Sequence, residues 1–108
     1  MDLKRLEQQI AFVREVDKLK SIDRQTLLTD RSRQENSAEH SWHMAVMAMF
    51  LFENAADRNL DLFRVVQMLL IHDIVEIDAG DTFCYDEAGQ KSKLSRERAA
   101  ADRIFNIL

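Results

Sequence analysis

An all-α domain is the architecture this sequence predicts, on three observations. Proline is absent and glycine occurs only at Gly80 and Gly89, too few turn residues for a sandwich or barrel of short strands. Apolar residues recur at helical spacing or fill segments longer than a strand. The 108 residues, 46% of them apolar, suffice for one small packed core and not for two domains. No internal repeat, low-complexity tract or linker divides the chain, so residues 1–108 read as a single domain.

The first helix is expected from Asp2 to Lys20. Leu3, Leu6, Ile10, Val13 and Val16 form its apolar stripe, widened by Phe12 and Leu19. The segment from Ser21 to Glu35 loses the period and is polar. It reads as a connection holding Leu27 and Leu28 inward, and it carries Arg24, Arg31 and Arg33. Ser37 is the expected N-cap of the second helix, with Asn36 as the alternative. That helix should run to about Asp57, with Met44, Met47, Ala48 and Leu51 as its buried stripe. Trp42, Val46, Met49, Phe50 and Phe52 make it apolar nearly all round, hence central. The third helix is expected from Asp61 to about Asp78 and is central for the same reason. Gly80 should end it in a left-handed C-cap. Asp81 to Lys93 reads as a loop with a turn at Gly89. Ser95 then caps a fourth helix with Ala99, Ala100, Ile104, Phe105 and Leu108 on its inner side. The pattern stops on Ile107-Leu108 without a cap or polar tail, so an N-terminal portion of a longer chain is expected. An open flank should then expose Ile104, Phe105 and Leu108, to be covered by more chain or by a second copy in a homodimer.

Charge and composition exclude several functions. A net charge of −4 argues against a generally basic nucleic-acid surface. The charged start is no signal peptide, and no apolar run approaches the roughly 20 residues that span a bilayer. A single cysteine, Cys84, forms no internal disulfide and suits a reducing cytoplasm.

The chemistry lies in the two most apolar helices. His72 interrupts the run MLLIHDIVEI and is followed at once by Asp73. Burying a carboxylate without a partner costs several kcal/mol, so a cation or strong hydrogen bonds should compensate it. Histidine and carboxylate together suit a borderline divalent ion such as Mn²⁺, Co²⁺, Fe²⁺ or Zn²⁺, and His40 could supply a third ligand. There is a geometric difficulty: neighbours on an α-helix point about 100° apart. Glu76 shares the face of His72 and Asp73 and could act on a water as a base. His43, one turn after His40, reads as a packing or supporting residue. Asp78 reads as serving the helix end or a hydrogen bond.

The strings ENSAEHSWHMA and LLIHDIVEIDAGDTF resemble the HD-domain phosphohydrolases, in particular the branch of bacterial 5′-deoxynucleotidases and their eukaryotic relatives. The resemblance covers roughly Ser21 to Leu108. It implies an all-α HD-domain helical bundle with one divalent metal ion at its centre, Mg²⁺ included among the candidates. It implies His40, His72 and Asp73 as metal ligands. It implies Glu76 as general acid/base and Asp81 as the second carboxylate of the catalytic site, near the sugar. Arg24 lies where that branch places a phosphate-binding arginine, although the branch's aromatic neighbour is here Gln25. The family's final ligand, an Asp on a later helix, has no counterpart in this sequence. The implied substrate is a small molecule, a nucleoside or deoxynucleoside 5′-monophosphate. Another HD phosphohydrolase, such as a phosphodiesterase, is the alternative within enzymes. A helical binding module with a degenerate metal site is the alternative outside them. Two histidines and one carboxylate also suit non-haem iron oxygenases, against which the adjacent His-Asp pair argues.

Overall fold

Five α-helices, two short 3₁₀ helices and one β-hairpin lie within residues 1–80 and 87–108, the part of the chain that the computed structural model describes, the side chain of Gln90 excepted. The all-α expectation holds, with the hairpin as an addition. Helix α1, Leu3–Val16, is capped by the Asp2 side chain, which accepts from the Arg5 N–H at 3.1 Å. A 3₁₀ turn, Asp17–Ser21, follows. The C-terminal end of this arm packs on the core: Phe12 and Val16 touch it and Leu19 is buried. Leu3, Leu6, Ile10 and Val13, the expected stripe, are exposed.

Strands β1, Asp23–Leu27, and β2, Gln34–Asn36, pair antiparallel with an irregularity in register. They stand where a polar connection was expected. Leu27 is exposed there rather than inward. The loop between them closes through Leu28 N–H to Arg33 C=O at 2.9 Å and Arg31 N–H to Leu28 C=O at 2.8 Å, with Arg31 in the left-handed region at φ 61°. Side chains rather than apolar alternation join the strands: Arg24 and Thr26 of β1 both donate to Glu35 of β2.

Helix α2, Ser37–Leu51, begins at the alternative cap. The Asn36 side chain accepts from the Glu39 N–H at 2.9 Å, and the Glu39 carboxylate accepts from the Asn36 N–H at 3.0 Å. This reciprocal pair satisfies two orphan donors of the first turn. Ser37 is therefore the first helical residue, and it is buried. The buried row of α2 is Ser37, Ser41 and Ala45, while Met47 and Leu51 are exposed. A helix apolar on every side leaves its phase undetermined from sequence. Here small residues at four-residue spacing permit the closest approach.

Helix α3, Leu62–Ile71, is capped by Asp61, whose side chain accepts from the Arg64 N–H at 3.2 Å. It packs chiefly on α2. It stops earlier than expected, at the residue before the His-Asp pair. The i→i+3 bonds Ile74 N–H to Ile71 C=O (3.1 Å) and Glu76 N–H to Asp73 C=O (2.9 Å) carry the chain through a tight turn. Helix α4, Glu76–Ala79, follows. Gly80 does have positive φ, but at φ 72° and ψ 162° it is not the expected left-handed cap. Among the described residues, an added Cβ would meet nothing within 4 Å; the positive φ is what favours glycine there.

Helix α5, Glu87–Phe105, starts well before Ser95 and takes in Gly89. Its first half buries little, so no apolar period announces it. Helix formers and pairs such as Lys93–Glu97 at 3.8 Å carry it instead. Its second half supplies Ala100 and Ile104 to the core, with Leu19 and Ile74, and Phe12, Val16, Val75 and Ile77 packed around them. Ile104 is fully buried, against the expected open flank; Phe105 is exposed, as are Phe50, Phe63, Met68 and Ile71 on α2 and α3. Arg103 of α5 donates to Asp78 of α4 (2.5 and 2.8 Å) and to Glu15 of α1 (2.5 Å). Asp78 thus ties elements together, as its place at the helix end suggested.

Among the described residues, no helix is long and apolar enough to cross a membrane.

Candidate metal centre

Three elements converge on one point. The first turn of α2 presents His40, the end of α3 presents His72, and the turn into α4 presents Asp73. One ligand atom from each lies within 4.8 Å of the others. His72 Nε2 is 3.2 Å from Asp73 Oδ1, and His40 Nε2 is 3.9 Å from Asp73 Oδ2. The two rings are tilted, their centroids 5.7 Å apart. The expected difficulty of adjacent ligands is met by the chain itself: regular α-helix ends where the pair begins.

The ring orientations suit ligation. His40 Nδ1 faces Glu35 Oε1 at 3.1 Å, and His72 Nδ1 faces the Leu69 carbonyl at 2.6 Å. Both partners only accept. Each Nδ1 is therefore placed to donate, and Nε2, the nitrogen turned toward Asp73, is the one left to bind an ion. This is the arrangement in which an imidazole binds a divalent ion, its other nitrogen held by a carboxylate or carbonyl. Two imidazoles and a carboxylate are a donor set that fits such an ion.

Arg24 joins the group from β1. Its Nη1 lies 3.4 Å from Asp73 Oδ2 and its Nε 3.1 Å from Glu35 Oε1. The buried Asp73 carboxylate therefore faces a guanidinium as well as two imidazoles. A guanidinium has five N–H donors, so two carboxylate contacts leave it capacity for an anion. Arg33 instead grips Glu39 through both terminal nitrogens, which holds the Glu39 carboxyl below the usual carboxylate range. Arg31 sits in the hairpin loop.

Glu76 is buried and opens α4, one tight turn after Asp73. His43 is exposed, its ring stacked on Trp42 at 6.2 Å, and it is not in the group. Asp81 and Cys84 lie outside the described residues. The residue not singled out in the sequence is Glu35, which lies five positions before His40. Only the pairing of β1 with β2 shows what it touches.

A family model described as HD domain matches residues 16–108. The chain belongs to the HD domain family. Among similar proteins, the human 5′-deoxynucleotidase HDDC2 is 32% identical over 100 residues, covering 92% of this chain and 47% of that protein. The Xenopus laevis 5′-deoxynucleotidase HDDC2 is 29% identical over 100 residues, covering 92% and 48%. This HD-domain chain thus spans about half the length of the curated relatives it matches. A crystal structure named as a predicted metal-dependent phosphohydrolase from Magnetospirillum magnetotacticum MS-1 superposes with a TM-score of 0.88 at 62% identity. It is covered over 52% of its length by 97% of this chain. His40, His72 and Asp73, gathered in an HD domain, form a group suited to a divalent metal ion.

Proposed function

We propose that the protein is a metal-dependent phosphohydrolase that removes phosphate from nucleoside or deoxynucleoside 5′-monophosphates. The observation that carries this reading is the convergence of His40, His72 and Asp73 within 4.8 Å, with the Arg24 guanidinium 3.4 Å from Asp73. The naming of the HDDC2 relatives as 5′-deoxynucleotidases supports the substrate class.

His40, His72 and Asp73 would hold the ion, which when bound supplies Lewis acidity toward a phosphoryl oxygen and a water. Arg24 binds and orients the phosphate by charge-assisted hydrogen bonds. Glu76, buried at the start of α4, takes a proton from the attacking water and returns one to the leaving oxygen. Asp81 contributes a carboxylate near the sugar. The partner is a small-molecule nucleotide.

The test is phosphate release by the full-length protein, stripped with a chelator and reloaded with single divalent ions. Nucleoside 5′-monophosphates should be hydrolysed in the reloaded sample and not in the stripped one. Release from none of them, or preferential cleavage of a phosphodiester, would contradict the proposal.

A further inference from the structure

The geometry points to Glu35 as the positioning residue of the centre: one carboxylate oxygen sets both the His40 imidazole and the Arg24 guanidinium. Three donors meet at Glu35 Oε1: His40 Nδ1 at 3.1 Å, Arg24 Nε at 3.1 Å and Thr26 Oγ1 at 3.1 Å. They come from α2 and from β1, and the acceptor stands on β2. The hairpin is thereby coupled to the first turn of α2.

The consequence for His40 is chemical. With Glu35 behind it, Nδ1 is held as the donor, and Nε2 is the nitrogen left to bind an ion. In the other tautomer a bare Nδ1 would face a carboxylate, and a hydrogen would occupy the position from which a ligand must donate. His72 is fixed in the same sense by the Leu69 backbone carbonyl at 2.6 Å, which no side-chain substitution removes. The two histidines are therefore held by different means. Only one of them depends on a replaceable side chain. Glu35 also meets Arg24 at Nε, leaving the Nη1 side of the guanidinium turned to Asp73. One oxygen thus fixes the distance between a metal ligand and the phosphate-facing cation.

This inference rests on the reading of His40 as a metal ligand. Its test uses two variants of the same side-chain length. Glu35→Met removes the acceptor, whereas Glu35→Gln keeps a carbonyl oxygen without the charge. Co²⁺ affinity is read from the visible absorption of the bound ion. The tautomers of His40 and His72 are read by long-range ¹H–¹⁵N NMR on metal-free protein, at a pH where both rings are neutral. Glu35→Met should weaken Co²⁺ binding about 10–100-fold and move the His40 hydrogen to Nε2, with His72 unchanged. Glu35→Gln should stay nearer to wild type in both readouts. Wild-type Co²⁺ affinity and an unmoved His40 tautomer in Glu35→Met would overturn the inference. A shift of both histidines together would overturn it too, because general loosening rather than local positioning would then be the cause. Wild-type protein that binds no Co²⁺ would instead refute the metal reading itself, before any variant is compared.

Discussion

His72 Nε2 lies 3.2 Å from Asp73 Oδ1 although the two residues are neighbours in the chain. A continuous α-helix would turn them about 100° apart. The chain solves this by ending α3 at Ile71 and passing through i→i+3 bonds before α4 begins at Glu76. The turn is therefore part of the site. It sets His72 and Asp73 side by side and places Glu76 at the start of the next helix.

Glu76 should matter to turnover and not to metal content. Glu76→Gln keeps the shape and removes the acid/base function. Turnover should fall by about 10²–10⁴, with the bound ion unchanged by elemental analysis. Equal loss of ion would make Glu76 a ligand; unchanged turnover would remove it from the reaction.

Arg24 should act on substrate binding. A hydrogen bond to a charged group is worth about 1.5–3 kcal/mol, so Arg24→Ala should raise KM roughly 10–100-fold. Inhibition by inorganic phosphate should weaken in parallel. A normal KM with normal phosphate inhibition would place the phosphate elsewhere.

The Glu15–Arg103–Asp78 network should make stability depend on acid. Lys18 and then Arg103 hold the Glu15 carboxyl below its ordinary value of 4.5, and Arg103 holds Asp78 below 3.8. Lowered folded-state values mean that the stabilisation is complete above those ordinary values. It is lost as the pH falls through the depressed ones. In urea titrations, wild type should exceed Arg103→Met in stability at neutral pH. The gap should close as the pH drops below about 4. A gap independent of pH would show that the contacts stabilise by packing alone.

Ile104 is the most buried large side chain of α5. Ile104→Ala should cost about 2–5 kcal/mol and Ile104→Val about 0.5–1.5, read by chemical denaturation. A smaller loss for alanine would mean that the core closes around the gap.

The gathering of His40, His72 and Asp73 was legible because burial of charge is costly: Asp73 inside an apolar run required a partner, whichever helix supplied it. Helix α1 was legible from its apolar residues at helical spacing and α3 from its apolar run, although α3 ends at Ile71 rather than near Asp78. The hairpin was not, because β1 and β2 are polar and are joined by Arg24, Thr26 and Glu35 rather than by an alternating apolar face. Glu35 escaped notice for the same reason, since its role exists only once the strands pair. The early start of α5 escaped because its first half buries almost nothing, so periodicity had nothing to register. The phase of α2 escaped because every face of it is apolar, and the choice fell to Ser37, Ser41 and Ala45.

The most direct measurement is a crystal structure of the full-length protein soaked with Mn²⁺, with the ion located by its anomalous signal. His40 Nε2, His72 Nε2 and an Asp73 carboxylate oxygen should all lie within roughly 2.0–2.5 Å of a single ion. The Nδ1 contacts to Glu35 and to the Leu69 carbonyl should be retained. An ion bound elsewhere, or one that leaves either histidine out of its coordination, would contradict the assignment of this centre.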